Sequence, residues 1–363
     1  MKKILFLCGS PRAHASTSYR FAKYTANFLQ HKYEFIDITH SKLSLNPNQA
    51  EPQFLEIVDK MKKADMFVWV FGIMVFSLPV QMQCFFDKLF TQGNTFPGKL
   101  ATSIITSRRI RDDFAVDRIR FLSEQLGISY LEGVSVDGEN IFPFTEEQIS
   151  EASCRRLARK ISKILSKTRF PVKQTQFLAR KFLSSEYFGT PLNISQELLS
   201  PKIQKKQGKI VIITGHSLEH NPNAKAIAAL CDKFSEYLIE VIELEKNKIK
   251  PCRECNTCMV DLSCQCRLKD DLGFIRGKMQ QAQGIVLLAN SACGLVDAYM
   301  KTFFERLVIL SHLPNLQNKY GFVILTGADY LEKEPLDYFD YVLQSWGVKS
   351  IGKLLQTDDN LEY

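Results

Sequence analysis

Short apolar runs alternate with longer amphipathic ones along the whole chain. In the first half, runs rich in β-branched and aromatic residues predict strands at Lys3–Cys8, Tyr33–Ile38, Met66–Phe71, Ala101–Thr106 and Ser129–Val136. Between them apolar positions recur at helical spacing, which predicts helices at Ser16–Gln30, Phe54–Lys63, Gln81–Phe90, Asp113–Leu126 and Glu146–Lys167. The second half repeats the rhythm, with strands at Lys209–Thr214, Leu238–Leu244, Gly284–Ala289, Tyr320–Leu325 and Lys349–Leu354. The sequence ends at Tyr363, leaving no room for a long fifth helix there. Strands that are apolar at nearly every position, such as KILFLC and MFVWVF, belong to parallel sheets covered on both faces. The class is therefore α/β.

The halves also align residue by residue. Lys3-Ile4 through Gly9 match Lys209-Ile210 through Gly215 at an offset of 206. Lys60, Met61 and Ala64 match Lys278, Met279 and Ala282, and Phe85-Phe86-Asp87-Lys88-Leu89 matches Phe303-Phe304-Glu305-Arg306-Leu307, both at 218. Thr106 and Gly127 match Thr326 and Gly347 at 220. The first increase in offset falls where the second copy carries a cysteine-rich stretch, which predicts an insertion on a shared scaffold. The expected division is residues 1–168, a linker at 169–207 containing Pro171, Pro191 and Pro201, and residues 208–363.

Composition narrows the class further. The 363 residues are 45% hydrophobic and 24% charged, ordinary values for folded domains. The net charge of +8 is local: residues 155–206 hold 13 Lys/Arg against Glu186 and Glu197. No base-reading module or aromatic-interleaved groove accompanies that surplus, so it reads as a solvated helix and connector, not a nucleic-acid site. The longest apolar stretch, Met66 to Val80, is too short for a membrane span and is broken by Gly72, Ser77 and Pro79. Ten cysteines without a secretory segment predict a cytoplasmic, thiol-reducing home.

Two motifs carry chemistry. Directly after the first strand comes Gly9-Ser10-Pro11-Arg12-Ala13-His14-Ala15-Ser16-Thr17-Ser18, opening a helix. A turn of this kind directs backbone N–H groups, hydroxyls and the positive helix end to one point, as a phosphate requires. The bland alternative is a helix capped by Ser16, Thr17 or Ser18. The second motif is PCRECNTCMVDLSCQCRLKDD, with Cys252, Cys255, Cys258, Cys264 and Cys266 in one stretch. Thiolates at that pitch suit one compact iron–sulfur centre, read as a single [4Fe–4S] cluster. Zinc and unmetallated thiols remain as alternatives. Cys8, Cys84, Cys154 and Cys231 fall in expected strands or helices and read as small core residues, whereas Cys293 is ambiguous.

The GSPR turn with its Ser/Thr cluster resembles the flavodoxin-like NAD(P)H-dependent FMN reductases. The PCxxCxxC run, the later Cys266, Asp270 and Asp271, and the stretch from Lys301 to Arg306 resemble their relatives, the iron–sulfur flavoproteins. This resemblance implies two flavodoxin-like three-layer domains, each with a five-stranded parallel sheet of order 2-1-3-4-5 and FMN at the carboxyl ends of the strands. It implies that Ser10, Pro11, Arg12, Ser16, Thr17 and Ser18 hold the FMN phosphate. The ring would be flanked by the loop from Gly72 to Pro79, including Met74, Val75, Phe76 and Ser77, and by Thr106, Ser107 and Arg108. Aligned on the following Asp-Asp, Cys266 is the fourth cluster ligand and Cys264 the alternative.

The pattern is not kept everywhere. The family's Pro-x-Tyr is Met74-Val75-Phe76 here, retaining an aromatic surface without the hydroxyl. In the second copy, Gly215-His216-Ser217-Leu218-Glu219-His220-Asn221 lacks the Pro and the Arg, and Glu219 brings negative charge. Asn290 to Gly294 has likewise lost the Pro and the Tyr of the ring loop. The copies are therefore expected to divide the labour, flavin in the first and cysteines in the second.

Lys301, Glu305 and Arg306 are expected to anchor a helix, with Asp270 and Asp271 opening another. His14, His216 and His220 read as polar loop residues. Arg108, Arg109 and Arg111 lie at the rim of the flavin site. The implied activity is an FMN-dependent oxidoreductase working with NAD(P)H or ferredoxin, either as a pseudo-dimer within one chain or as a homodimer. The rival from another class is a non-catalytic redox sensor or adaptor using the basic connector.

Overall fold

The computed structural model describes residues 2–41, 43–107, 112–137, 145–166, 208–260, 266–292, 295–313, 315–328, 333–357 and 361–362. They fall into two compact units, one before and one after residues 167–207. The expected linker therefore lies outside the described residues.

In the first unit, strands β1 (Lys3–Cys8), β2 (Lys32–Asp37), β3 (Met66–Gly72), β4 (Leu100–Ser107), β5 (Ser129–Tyr130) and β6 (Val134–Asp137) form one parallel sheet. Its order is β2-β1-β3-β4-β5, with β6 also on β4. The expected fifth strand is thus present but split. Gly133, between its pieces, has the backbone and hydroxyl of Ser103 where a Cβ would sit, so the chain detours there and only glycine fits.

The helices are α1 (Thr17–Ala26), α2 (Pro52–Lys63), α3 (Val80–Thr91), α4 (Asp112–Gln125) and α5 (Thr145–Leu165). Strand alternation sorts the two faces of the sheet. Ile4, Phe6, Cys8, Met66, Val68 and Val70 pack with Phe21 and Ala22 of α1 and with Leu157 and Ile161 of α5. The intervening Trp69 faces the other layer, where its ring lies 4.8 Å from that of Phe86 on α3 and its Nε1 donates to Ser123 Oγ on α4 at 2.9 Å. Each such fully buried large apolar side chain contributes about 1.5–3 kcal/mol through removal from water.

The second unit repeats the plan with β7 (Lys209–Thr214), β8 (Leu238–Glu243), β9 (Gly284–Ala292), β10 (Leu295–Val296), β11 (Tyr320–Ala328), β12 (Lys349–Thr357) and β13 (Leu361–Glu362). The order β8-β7-β9-β11-β12 is parallel and equivalent to that of the first sheet. β13 adds an antiparallel edge on β12, and β10 folds back on β9. The helices are α6 (Pro222–Phe234), α7 (Thr257–Val260), α8 (Leu272–Gln281), α9 (Ala298–Arg306) and α10 (Lys333–Ser345).

The repeat survives in detail. Phe85, Phe86, Phe303 and Phe304 are all fully buried. Gly127 and Gly347 end α4 and α10 at φ 75° and 84°. In each case the next residue closes a six-residue bond, Ile128 N–H to Ser123 O at 3.0 Å and Val348 N–H to Leu343 O at 3.2 Å. The glycine N–H bonds back three residues, and together these bonds form a Schellman stop that requires the left-handed glycine. The cysteine segment falls between β8 and α8, where the change in offset predicts an insertion.

Candidate functional site

Position places the first loop at the carboxyl edge of the first sheet, after β1 and beside the crossover to the outer strand β2. Gly9 N–H donates to Val70 O on β3 at 2.9 Å, and a Cβ at Gly9 would lie 2.8 Å from Met82 Cε on α3. A side chain here would require the Met82 side chain to shift. The loop then turns through Ala13 at φ 46° and a single 3-10 turn, Ala13–Ala15. Ser16 caps α1: its Oγ accepts from Tyr19 N–H at 3.2 Å, donates to Ala13 O at 2.8 Å and lies 3.1 Å from Ser18 Oγ. Of the expected phosphate residues, Ser10, Ser16 and Ser18 are buried, Pro11 and Thr17 half-buried and Arg12 exposed.

Ser16 thus serves the helix, as the capping alternative anticipates. What remains for an anion is the backbone. The N–H groups of Arg12 and His14 donate to no backbone carbonyl among the described residues. Those of Thr17 and Ser18 belong to the first helical turn, which has no intrahelical partner. Thr39, just past β2, donates from Oγ1 to Ser10 O at 2.8 Å and braces the loop from outside.

The loop after β3 contains a closed turn. Met74 N–H donates to Ser77 O at 2.9 Å and Ser77 N–H to Met74 O at 3.2 Å, around Val75 at φ 43° and Phe76 at φ 61°. Two left-handed central residues make this a type I′ geometry, normally occupied by Asn and Gly. For Val and Phe it costs about 1–2 kcal/mol per residue, a local strain of the kind that collects at ligand sites. Phe76 is half-buried. Gly72 pairs with Thr106 across β3 and β4, and Ile73 N–H donates to Thr106 O at 2.8 Å, so the two ring-flanking loops share one base. Ser107 donates to the Asp112 carboxylate that opens α4. Arg108, Arg109 and Arg111 lie outside the described residues.

The equivalent loop of the second unit is built differently. Ser217 N–H donates to Glu245 Oε2 and Leu218 N–H to Glu243 Oε1, both at 2.7 Å. Ser217 Oγ donates to Glu243 Oε1 at 3.1 Å. Asn221, not a serine, caps α6, accepting from Ala224 N–H at 3.0 Å. Glu219 points away, 77% exposed and paired with Lys246 at 3.3 Å. The negative charge at this loop comes instead from Glu243 and Glu245, which sequence reasoning missed. The alignment at 206 does place them opposite Asp37 and Thr39, the signal that was available.

The cysteine segment curls through left-handed Glu254 and Asn256, at φ 51° and 57°. That curl turns donors toward sulfur: Glu254 N–H to Cys252 Sγ at 3.4 Å and Thr257 Oγ1 to Cys255 Sγ at 3.5 Å. Cys252, Cys258 and Cys266 are half-buried and Cys255 is exposed. Burial pushes the Cys252 thiol up to about 12, the Glu305 carboxylate adding to it. Hydrogen bonds from Thr257 draw Cys255 below its ordinary value. Cys264 and Cys293 lie outside the described residues.

The ends of the segment are clamped, since Arg306 Nη1 reaches both Lys250 O and Asp270 Oδ2 at 2.6 Å. Donor chemistry and sulfur hydrogen bonding fit an iron–sulfur centre. Among the described residues, however, no three Cys, His, Asp or Glu side chains are arranged to hold a metal ion. The core reading holds elsewhere, for Cys8, Cys84 and Cys154 are buried and Cys231 is half-buried.

Residues 2–161 match the flavodoxin-like fold family, and residues 208–334 match the NADPH-dependent FMN reductase family. The chain is two flavodoxin-like domains in tandem. An iron–sulfur flavoprotein of Archaeoglobus fulgidus is 27% identical over 147 residues, covering 40% of this chain and 66% of its own length. One of Methanocaldococcus jannaschii is 34% identical over 104 residues, covering 29% and 52%. The chain thus spans about half to two thirds of the length of these curated relatives. A solved structure of an NAD(P)H:quinone oxidoreductase from Methanothermobacter marburgensis shares 17% identity, covering 44% of this chain and 94% of its own, with a TM-score of 0.36. Among the described residues no helix is long and apolar enough to cross a membrane.

Proposed function

We propose that the chain is an FMN-dependent oxidoreductase, with FMN in the first domain and a [4Fe–4S] cluster on the cysteine segment of the second. The domains are taken as 1–168 and 208–363, with a basic connector at 169–207. The observation that carries this reading is the first loop, where the N–H groups of Arg12 and His14 donate to no backbone carbonyl among the described residues and those of Thr17 and Ser18 open a helix. In the matching loop of the second domain the Ser217 and Leu218 N–H groups donate to Glu245 and Glu243.

In this reading the loop N–H groups and the α1 N-terminus hold the phosphate, with Ser10, Pro11, Ser16 and Ser18 forming its walls and Arg12 adding charge. Met74, Val75 and Phe76 would present an apolar edge to the ring, with Gly72, Ser77, Thr106 and Ser107 beside it; Arg108, outside the described residues, is assigned there by the family resemblance alone. When bound, FMN supplies the hydride and one-electron chemistry, so no side chain is needed as acid or base. Cys252, Cys255 and Cys258, with Cys266 or Cys264, would hold the cluster, which supplies single-electron transfer. NAD(P)H or ferredoxin is the donor, and the domains work as a pseudo-dimer or as a homodimer.

Anaerobic purification tests this. The expected sample carries non-covalent FMN, iron and acid-labile sulfide, and oxidises NAD(P)H with an artificial acceptor. Flavin without iron would remove the cluster and leave a flavin reductase. The absence of both would end the redox reading.

A further inference from the structure

We propose that the loop Gly215–Asn221 is a phosphate cradle plugged by its own chain, the carboxylates of Glu243 and Glu245 standing where phosphate oxygens would stand, so that the second domain holds no flavin. The two domains supply the comparison. At the offset of 206 that aligns β1 with β7, Glu243 replaces Asp37 and Glu245 replaces Thr39. Asp37 turns back on its own strand end, accepting from Thr39 N–H at 2.9 Å and His40 N–H at 3.2 Å and pairing with His40 Nδ1 at 2.6 Å. The first loop is left facing outward.

Three changes reverse this in the second domain: Glu243 is one methylene longer than Asp37, Glu245 puts a carboxylate where Thr39 has a hydroxyl, and Ser217 offers an N–H where the first loop has Pro11. Glu243 and Glu245 reach across to the N–H groups of Ser217 and Leu218 and to the Ser217 hydroxyl. The plug is tied down from both sides: His220 Nδ1 lies 3.2 Å from Glu245 Oε2, and Lys246 pairs with Glu243 at 3.0 Å. Burial raises the Glu243 carboxyl, but Leu218 N–H, Lys246 and Ser217 outweigh it and hold it ionised below its ordinary value.

A buried acid closes the floor. Asp297, almost fully buried at the N-cap of α9, occupies the space beside Gly215 where a side chain would begin; its counterpart in the first domain is Pro79. A phosphate monoester would have to displace two hydrogen-bonded carboxylates and then lie against them, with Asp297, whose carboxyl burial raises, filling the floor beneath. Both steps oppose entry.

Only the count of one flavin per chain rests on the reading of the first domain; the plug does not. Titrating the full chain with FMN is expected to saturate at one per chain, and two per chain would overturn the plug. No binding at all would sink the flavin reading of the first domain, and the plug is then decided by the second measurement. That measurement compares the FMN-saturated natural chain with E243A/E245A, using inorganic phosphate as the probe and the second domain's unfolding transition in a calorimetric scan as the readout. The vacated N–H groups are expected to bind phosphate about tenfold more tightly or better, raising that transition with phosphate concentration in the variant alone. If the double variant does not fold, E245A alone carries the comparison. A phosphate response equal in variant and natural chain would overturn the proposal.

Discussion

Arg306 and Asp270 form a bidentate pair, Nη1–Oδ2 at 2.6 Å and Nη2–Oδ1 at 3.1 Å, with both side chains nearly inaccessible to water. The same guanidinium holds Lys250 O, and Lys250 N–H donates to Asp270 Oδ2 at 3.0 Å. One ion pair thereby ties together the two ends of the cysteine segment. Removing one partner strands the other charge, so Arg306→Ala is expected to cost the second domain about 3–5 kcal/mol in urea unfolding. Arg306→Lys should restore little, because an ammonium cannot make the paired bonds. If the clamp shapes the segment, both variants also lose iron during anaerobic purification.

The pair carries a pH signature. Burial raises the Asp270 carboxyl, but Arg306 and the N–H groups of Lys250 and Leu272 outweigh it, leaving it below its ordinary value. Its stabilisation is therefore present above the unfolded carboxylate value, about 3.9, and is lost as pH falls through the folded one. Acid unfolding of the second domain should start at higher pH in Asp270→Asn. Coincident acid curves would exclude this assignment.

Lys88 occupies the matching position in the first domain and is fully buried. Its Nζ donates to Asn46 O at 2.7 Å and Gln49 O at 2.6 Å and pairs with Glu51 at 3.2 Å, pinning the loop that leads into α2. Lys88→Ala leaves three acceptors unanswered and is expected to destabilise this domain by about 3–5 kcal/mol, measured by its own unfolding transition.

Lys301 is buried beside Tyr338, its Nζ 3.3 Å from the phenol oxygen and 3.7 Å from Glu305. Burial pushes its ammonium down to about 8, against partial compensation from Glu305. The unfolded chain then binds the extra proton between about pH 8 and 10, so this group makes stability rise with pH there, by up to about 1.4 kcal/mol per unit. Lys301→Met should flatten that rise in denaturant titrations at pH 8, 9 and 10. An unchanged slope would show that Lys301 does not contribute it.

The turn at Val75 and Phe76 separates stability from ligand binding. Val75→Pro cannot take φ 43°, since proline is locked near −65°, and should unfold the turn and abolish flavin retention. Phe76→Asn suits the left-handed position, so stability should change by no more than about 1 kcal/mol while FMN affinity falls several-fold. Fluorescence titration checks this, and an unaltered affinity would remove Phe76 from the ring site.

The fold was legible because strand and helix periods were clean. KILFLC and MFVWVF read as two-faced strands and became β1 and β3, and the repeated Phe-Phe pairs marked the buried faces of α3 and α9. The detour at Gly133 was not legible, because a close approach to Ser103 leaves no trace in periodicity. Within the site, the glycine turn was visible locally, but the use of Ser16 as a cap depended on where α1 began.

The linear pattern by itself determined the duplication, the α/β class and the grouping of the cysteines, since these follow from spacing along the chain, whereas the strand order was implied only by the family resemblance. Tertiary structure decided that the N–H groups of the loop after β7 are taken up by carboxylates. Parallel pairing brings the end of β8 beside the loop after β7, where Glu243, one methylene longer than the aligned Asp37, meets Ser217, 26 positions away. Whether a carboxylate folds back on its own turn, as Asp37 does, or reaches across to Leu218, as Glu243 does, is set by that geometry and by the N–H groups within range, which no spacing along the chain encodes.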